Sequence, residues 1–408
     1  TIGHLIGENP VGGRHNPHIY LERMSRANRL NLARLQGLTI TGGVAQLGAG
    51  IYISSADPTL EDLVVRDNYC DSASCFGTGV YLRGSEAVLT EVEISSNHQE
   101  NSSSTPYNLG AGLLIYEGEP SLIDVQILDN ISELDMSNAG SATGQGYGAG
   151  LYVAYADPVL TGVIIAGNRI EATSGSASGR GAGVYLFDSE SLFENTIVAD
   201  NSLEVQSAYG AGFYLIDSSP ELFNVILAAN HAGESSSTYA SGGAIFADDS
   251  EVYLLNSGLV ANVVEGSSGL SGSSISLKGE SELQVINTDI SSAASSGTVY
   301  GSAIYLASPE ESELEIAYCN FYGNASAAFS GLSSPVGSEG NVSVNPQYTD
   351  TSASDPLDWD LSLDTGSDLR DAGDPSFQDA DGTTSDIGAY GGSGGGRDGC
   401  SPKPLHTG

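Results

Sequence analysis

Asp379-Ala380-Asp381-Gly382, with Asp386 four residues beyond the glycine, sets hard oxygen ligands around a tight turn. That arrangement suits calcium, although the twelve-residue loop and closing Glu of an EF-hand are missing. Asp371 and Asp374 could add ligands, and the same aspartates could equally be turn formers that seal the end of a fold. A second set is aromatic: Tyr52, Tyr81, Tyr152, Tyr185, Tyr214, Phe246 and Tyr305 recur at a near-constant interval. Stacked rings offer a surface on which sugars or another protein can lie. Proton abstraction beside a uronic carboxylate would need a basic side chain. Arg83, Lys278, Arg169 and Arg180 are the candidates, and each also reads as an ordinary solvated charge. His98 and His231 sit in separate loops, and His4, His15 and His18 near the start, none at zinc-type spacing.

The elements that must position these residues are repeats. A Gly-x-small-apolar-aromatic pattern occurs nine times, from Gly48-Ala-Gly-Ile-Tyr52 through Gly148-Ala-Gly-Leu-Tyr152 to Gly301-Ser-Ala-Ile-Tyr305. The fourth residues, here called anchors, are spaced by 29, 33, 38, 33, 29, 32, 30 and 29 residues. Ile19-Tyr20-Leu21 is a degenerate tenth copy. Each copy is followed by an Asn that closes an apolar run: Asn68, Asn97, Asn130, Asn168, Asn201, Asn230, Asn262 and, after Ala293 in one copy, Asn324. Three, five and eight residues before this landmark lie apolar columns, for example Ile165, Val163 and Leu160. The two-residue step is the strand period, and the three-residue step marks a bend between short strands. Each copy thus supplies three short strands and returns to its start, which predicts a coil of a parallel β-helix with a ladder of stacked Asn amides.

The chain resembles the right-handed parallel β-helix superfamily that includes pectate lyases. Gly242-Gly-Ala-Ile245 and Phe321-Tyr-Gly-Asn324 resemble the tetrapeptides of polymorphic outer-membrane proteins. Asp371-Ala-Gly-Asp374-Pro375, Asp379-Ala-Asp-Gly382 and Asp386-Ile-Gly-Ala-Tyr390 resemble the end of many secreted bacterial β-helix proteins. The resemblance spans about residues 19–392 and implies a right-handed solenoid at or outside the cell surface. In pectate lyases the first-strand face and its loops form the substrate cleft. Asn287-Thr-Asp289 and Asp248-Asp249 superficially match polygalacturonase elements, but in reversed order, and the Gly-His-Gly and Arg-Ile-Lys elements of that family are absent. The resemblance therefore supports the fold more than an activity.

By strand alternation the residues after the anchors face out, giving the Tyr column a neighbouring trough of Gly50, Gly79, Gly112, Gly150, Gly183, Gly212, Ala244, Ser274 and Ala303. The same stripe could instead be a ladder covered by loops. The longest loop, residues 131–150, lies over the third and fourth coils, and variable loops on one face commonly carry binding. Cys70 and Cys75 can pair in an oxidising compartment, Cys319 occupies an inward column, and Cys400 is left over.

These features predict an all-β solenoid of about nine to ten coils with three short strands each. Residues 1–35 form a cap or degenerate first coil, 36–345 the β-helix, 346–392 an acidic cap over the last coil, and 393–408 a flexible tail. Thirteen Lys and Arg face 51 Asp and Glu, a net charge of −38, which argues against nucleic-acid binding. Residues 35–396 alone carry −42, so an anionic polymer needs a bridging cation there. No apolar run reaches the roughly 18 residues that span a bilayer. No basic-then-apolar leader opens the sequence, so the chain is expected to be mature, trimmed or a fragment. The leading expectation is a secreted or cell-surface bacterial protein for adhesion or glycan contact, with calcium as cofactor. The partner is a polysaccharide, a cell-surface glycan or another protein. The alternatives are a polysaccharide lyase or glycoside hydrolase with a loop-borne site, and a structural fibre or spacer subunit.

Overall fold

Four left-handed corners per coil turn this chain into a helix of sheets. Coils are bent at the first glycine of each repeat (Gly148, φ +57°), four residues after each anchor (Tyr155, +54°), six residues before the landmark Asn (Gly162, +67°) and one before it (Gly167, +65°). The third corner is the bend expected from the three-residue step. Non-glycine occupants are mostly Asp, Asn and Ser, whose short polar side chains tolerate this geometry best.

The structure, a computed structural model, describes residues 19–22, 33–138, 143–173, 175–325 and 327–394. Its described part is a right-handed parallel β-solenoid of about nine turns. The anchor strands stack into an eleven-stranded parallel sheet running from Ile19–Glu22 to Phe329–Ser330, the anchor sheet. The degenerate copy joins it in register, Ile19 against Ile51 and Tyr20 against Tyr52. A two-segment back sheet begins at Arg34–Thr41 and ends at Asn320–Tyr322. The loops expected between landmark and next anchor add two further eight-stranded ladders. These are an outgoing sheet from Tyr69–Asp71 to Ala294–Ser295 and a lead-in sheet from Ser74–Phe76 to Val299–Tyr300. Even the long loop conforms, supplying Ile131–Leu134 and Gly144–Tyr147.

Two cores fill the cross-section. Anchors and the three expected columns form the main one, where Leu160, Val163 and Ile165 are fully buried. Ile170, Leu203, Ala208 and Val264 form a second core between the outgoing and lead-in sheets. The Asn ladder lies at the neck between them. Asn168 Nδ2 donates to Asn201 Oδ1 at 3.0 Å and to the Ile127 carbonyl at 2.9 Å, and the pattern repeats from Asn68 to Asn262.

The glycines expected beside the Tyr column instead close this neck. A Cβ on Gly150 would lie 2.8 Å from Asn168 Nδ2 and 2.7 Å from the Gly183 carbonyl oxygen. Strand alternation does not extend back to them, because the strand starts only at its anchor, after the bend at the first glycine.

Residues 346–394 do not fold over the last coil. They run back along the outside of the back sheet as a strap, with a short antiparallel pair, Tyr348–Asp350 and Asp360–Leu363. Leu361, Trp359, Ala389 and Tyr390 cover Ile164, Ile197, Ile226, Ala199 and Ala228. These outward positions are apolar and would otherwise meet water, which is why the strap lies there. Of the segments assigned to a first cap and a tail, residues 1–18, 23–32 and 395–408 lie outside the described residues, with His4, His15, His18 and Cys400.

Candidate functional site

The Tyr column does face outward, but most of it is covered. Tyr52, Tyr185, Tyr214 and Phe246 retain 8%, 8%, 4% and 7% exposure, while Tyr81, Tyr152 and Tyr305 are half-buried. Tyr152, Tyr185, Tyr214 and Phe246 stack nearly parallel, with ring centroids 5.0 to 5.3 Å apart. Burial raises the Tyr81 and Tyr214 hydroxyls to about 12 and Tyr152 and Tyr185 further, so all stay neutral in ordinary buffers.

What covers them is a second column on the lead-in sheet. Tyr147, Arg180 and Tyr209 stand in register on consecutive coils, immediately before the first glycine of each repeat. Tyr147 meets Tyr185 at 5.1 Å and Tyr209 meets Phe246 at 5.3 Å. Outward side chains of two adjacent sheets touch, so the angle between the sheets is a shallow groove whose floor is filled by packed rings. Arg180 lies 5.4 Å from the Tyr147 ring and 5.5 Å from the Tyr214 ring, and donates to the Tyr147 hydroxyl at 3.2 Å. Partly buried cation–π contacts of this kind contribute about 1 kcal/mol.

One position further out on the same strands, Tyr107 and Tyr239 are 37% and 51% exposed. Gln145, Ser178 and Ser207 stand in register between them. Four rungs at about 4.8 Å put these two tyrosines roughly 19 Å apart along the axis. From Ser74 to Ser241 no outward position of the lead-in sheet carries a carboxylate, within a chain of net charge −38. The signal for this column was in the sequence: Phe76, Leu109, Tyr147, Arg180 and Tyr209 each precede a repeat glycine. It was hidden because that segment reads as loop until its stacking is seen.

The other candidates are dispersed. Arg83 hydrogen-bonds Tyr52, and Lys278 pairs with Asp248 at 2.7 Å. Arg169 lies on the outgoing sheet, away from Arg180, and pairs with Glu171 at 2.8 Å. His98 and His231 pair separately with Glu133 and Glu265, each at 3.2 Å. Asp249 accepts from the Glu280 amide at 2.8 Å at a coil corner. Asn287 Oδ1 accepts from the Asp374 amide at 2.7 Å, and Asp289 is fully buried beneath the strap. Cys70 and Cys75 form a disulfide between the outgoing and lead-in sheets, whereas Cys319 is a buried thiol that burial raises to about 12.

In the strap, one carboxylate oxygen each from Asp379, Asp386 and Asp371 lie within 4.8 Å of one another. Asp381 is not among them; its carboxylate accepts from the Thr383 amide at 3.0 Å and hydroxyl at 2.7 Å, which lowers its pKa. Asp379 accepts from the Gly392 amide at 2.6 Å and the Asp386 amide at 3.2 Å. Asp386 accepts from the Asp371 amide at 2.7 Å. Burial raises both Asp379 and Asp386, against these donors. Three hard oxygens converging at a loop could hold calcium, and equally serve to pin the strap by backbone bonds.

Comparison with curated proteins and with solved structures returns no match. The family model described as the right-handed β-helix region matches residues 27–241, just over half of the chain and the same coils that carry the groove. Register, corners and this match agree, and the chain belongs to the right-handed β-helix family.

Proposed function

We propose that this β-helix is a secreted or cell-surface protein that contacts glycans through the groove between its anchor and lead-in sheets, in the manner of an adhesin. The observation that carries the reading is the aromatic, carboxylate-free groove, with Tyr107 and Tyr239 at its exposed edge and Arg180 between them, on a strongly acidic rod. Sugars stack on aromatic faces and hydrogen-bond to small polar side chains such as Ser178 and Ser207. The Cys70–Cys75 disulfide fits an oxidising location. Catalysis is not part of the reading, because the basic candidates are spent on Tyr and carboxylate partners. Calcium, held by Asp371, Asp379 and Asp386, would brace the strap rather than line the groove.

A panel of neutral and acidic oligosaccharides, titrated calorimetrically and followed for unsaturated product, tests this. Binding without turnover is expected, weakened at least about tenfold in the Tyr107→Ala/Tyr239→Ala double variant, as loss of a stacking pair should cost about 1.4 kcal/mol or more. Turnover that disappears in Arg180→Ala would replace this reading with a lyase. Binding to no glycan would leave a spacer.

A further inference from the structure

The strap is acidic and lies on an acidic body. Residues 346–394 carry eleven Asp and one Arg, within a chain of net charge −38. Apolar contacts with Ile164, Ile197 and Ile226 hold it, yet the seam also encloses a carboxyl. Asp289, fully buried, accepts from Ser291 Oγ at 2.5 Å, from Asn320 Nδ2 at 2.6 Å, and from the strap's Tyr348 hydroxyl. Towards the other end, at the edge of the seam, the solvent-exposed Asp129 and Asp200 neighbour the strap's Asp355.

We propose that the strap is an acid-tightened lock: it docks more firmly as pH falls and loosens as pH rises, because charging Asp289, sealed in the seam, and the carboxyls that neighbour one another at its edge opposes contact. Burial holds Asp289 above the usual carboxylate range against its three hydrogen-bond donors, and partial burial with the charge of Asp355 raises the exposed Asp129 and Asp200. A carboxyl raised in the docked form contributes stability that is complete below its ordinary value of about 4. That contribution is lost as pH rises through the raised value. The other titratable neighbours do not reverse this sign. Tyr348, with Tyr390 beside it, and the Cys319 thiol stay neutral through this range. His231 lowers Asp200, but by less than burial raises it. Loosening would bare the apolar stripe on the back sheet.

Trp359 is the only tryptophan in the chain, sits in the strap, packs on that stripe and donates from Nε1 to the Ala353 carbonyl at 2.8 Å. Acrylamide quenching of the full chain therefore reads docking directly. With chelator present, so that calcium plays no part, quenching relative to free N-acetyltryptophanamide is expected to rise about twofold from about pH 5 to about pH 9. Far-UV circular dichroism of the solenoid should stay constant. Asp289→Asn removes the buried charge and should flatten the rise. Asp355→Asn, on the exposed side and still able to cap its turn, should do so even where Asp289→Asn disturbs folding. Loss of slope in either variant supports the lock. Quenching independent of pH, or a wild-type slope in both variants, overturns it.

Discussion

Asn168 shows how one side chain holds several coils. Its amide donates to the Ile127 carbonyl and to Asn201, and its Oδ1 accepts from the backbone and side chain of Asn130. Asn168→Ala would orphan a buried carbonyl and a buried amide, at about 1–3 kcal/mol each. We expect a loss of roughly 3 kcal/mol or more in denaturant unfolding, and a smaller loss would show that water replaces the amide. The ladder also contains its own natural variant. Where Ala293 replaces Asn, Ser274 stands at the register position that Gly150 holds opposite Asn168, and its hydroxyl has no hydrogen-bond partner. Volume has moved from one wall of the neck to the other. Ala293→Asn alone should therefore overpack the neck, whereas Ala293→Asn with Ser274→Gly should restore the ladder and gain about 1 kcal/mol. A double-mutant cycle by urea unfolding checks the coupling. The Asn column and all three apolar columns were legible as residues, because each keeps a fixed offset in every coil. The inward direction of Gly150 was not, because alternation holds only inside a strand.

At the scale of elements, corners decide direction and glycine has two distinct uses. Gly84 occupies a left-handed corner with open space around it, its nearest contact 3.7 Å away, so Gly84→Ala should cost about 1–2 kcal/mol of backbone strain alone. Gly150 is needed for closeness to a carbonyl and an amide, so Gly150→Ala must push two coils apart and cost roughly 3 kcal/mol. Thermal unfolding of both variants, beside Gly84→Asn, separates the uses, since Asn should recover much of the first loss. The same scale explains why the groove was only half visible. The anchor-sheet column repeats with strand periodicity and is readable. Tyr107, Tyr147 and Tyr239 lie in segments of unequal length, and only stacking into the lead-in sheet aligns them.

For the whole molecule, the strap matters most. If calcium occupies Asp371, Asp379 and Asp386, adding it to the full chain should raise the temperature at which Trp359 fluorescence changes, and Asp379→Asn should abolish the shift. Asp381→Asn should leave the shift intact, because that carboxylate is turned to Thr383. Equal shifts in both variants would remove calcium from this loop. The repeats by themselves determined the parallel solenoid, its coil count, the inward columns and the Asn ladder, since stacking like coils makes every residue meet its own equivalent; the hand was implied only by the family resemblance. Tertiary structure alone decided that the acidic end lies along the flank and that the Tyr column is roofed by Tyr147 and Arg180. Both contacts join unlike segments, the strap to coils as much as about 200 residues distant in sequence, and no repeat offset encodes such a meeting.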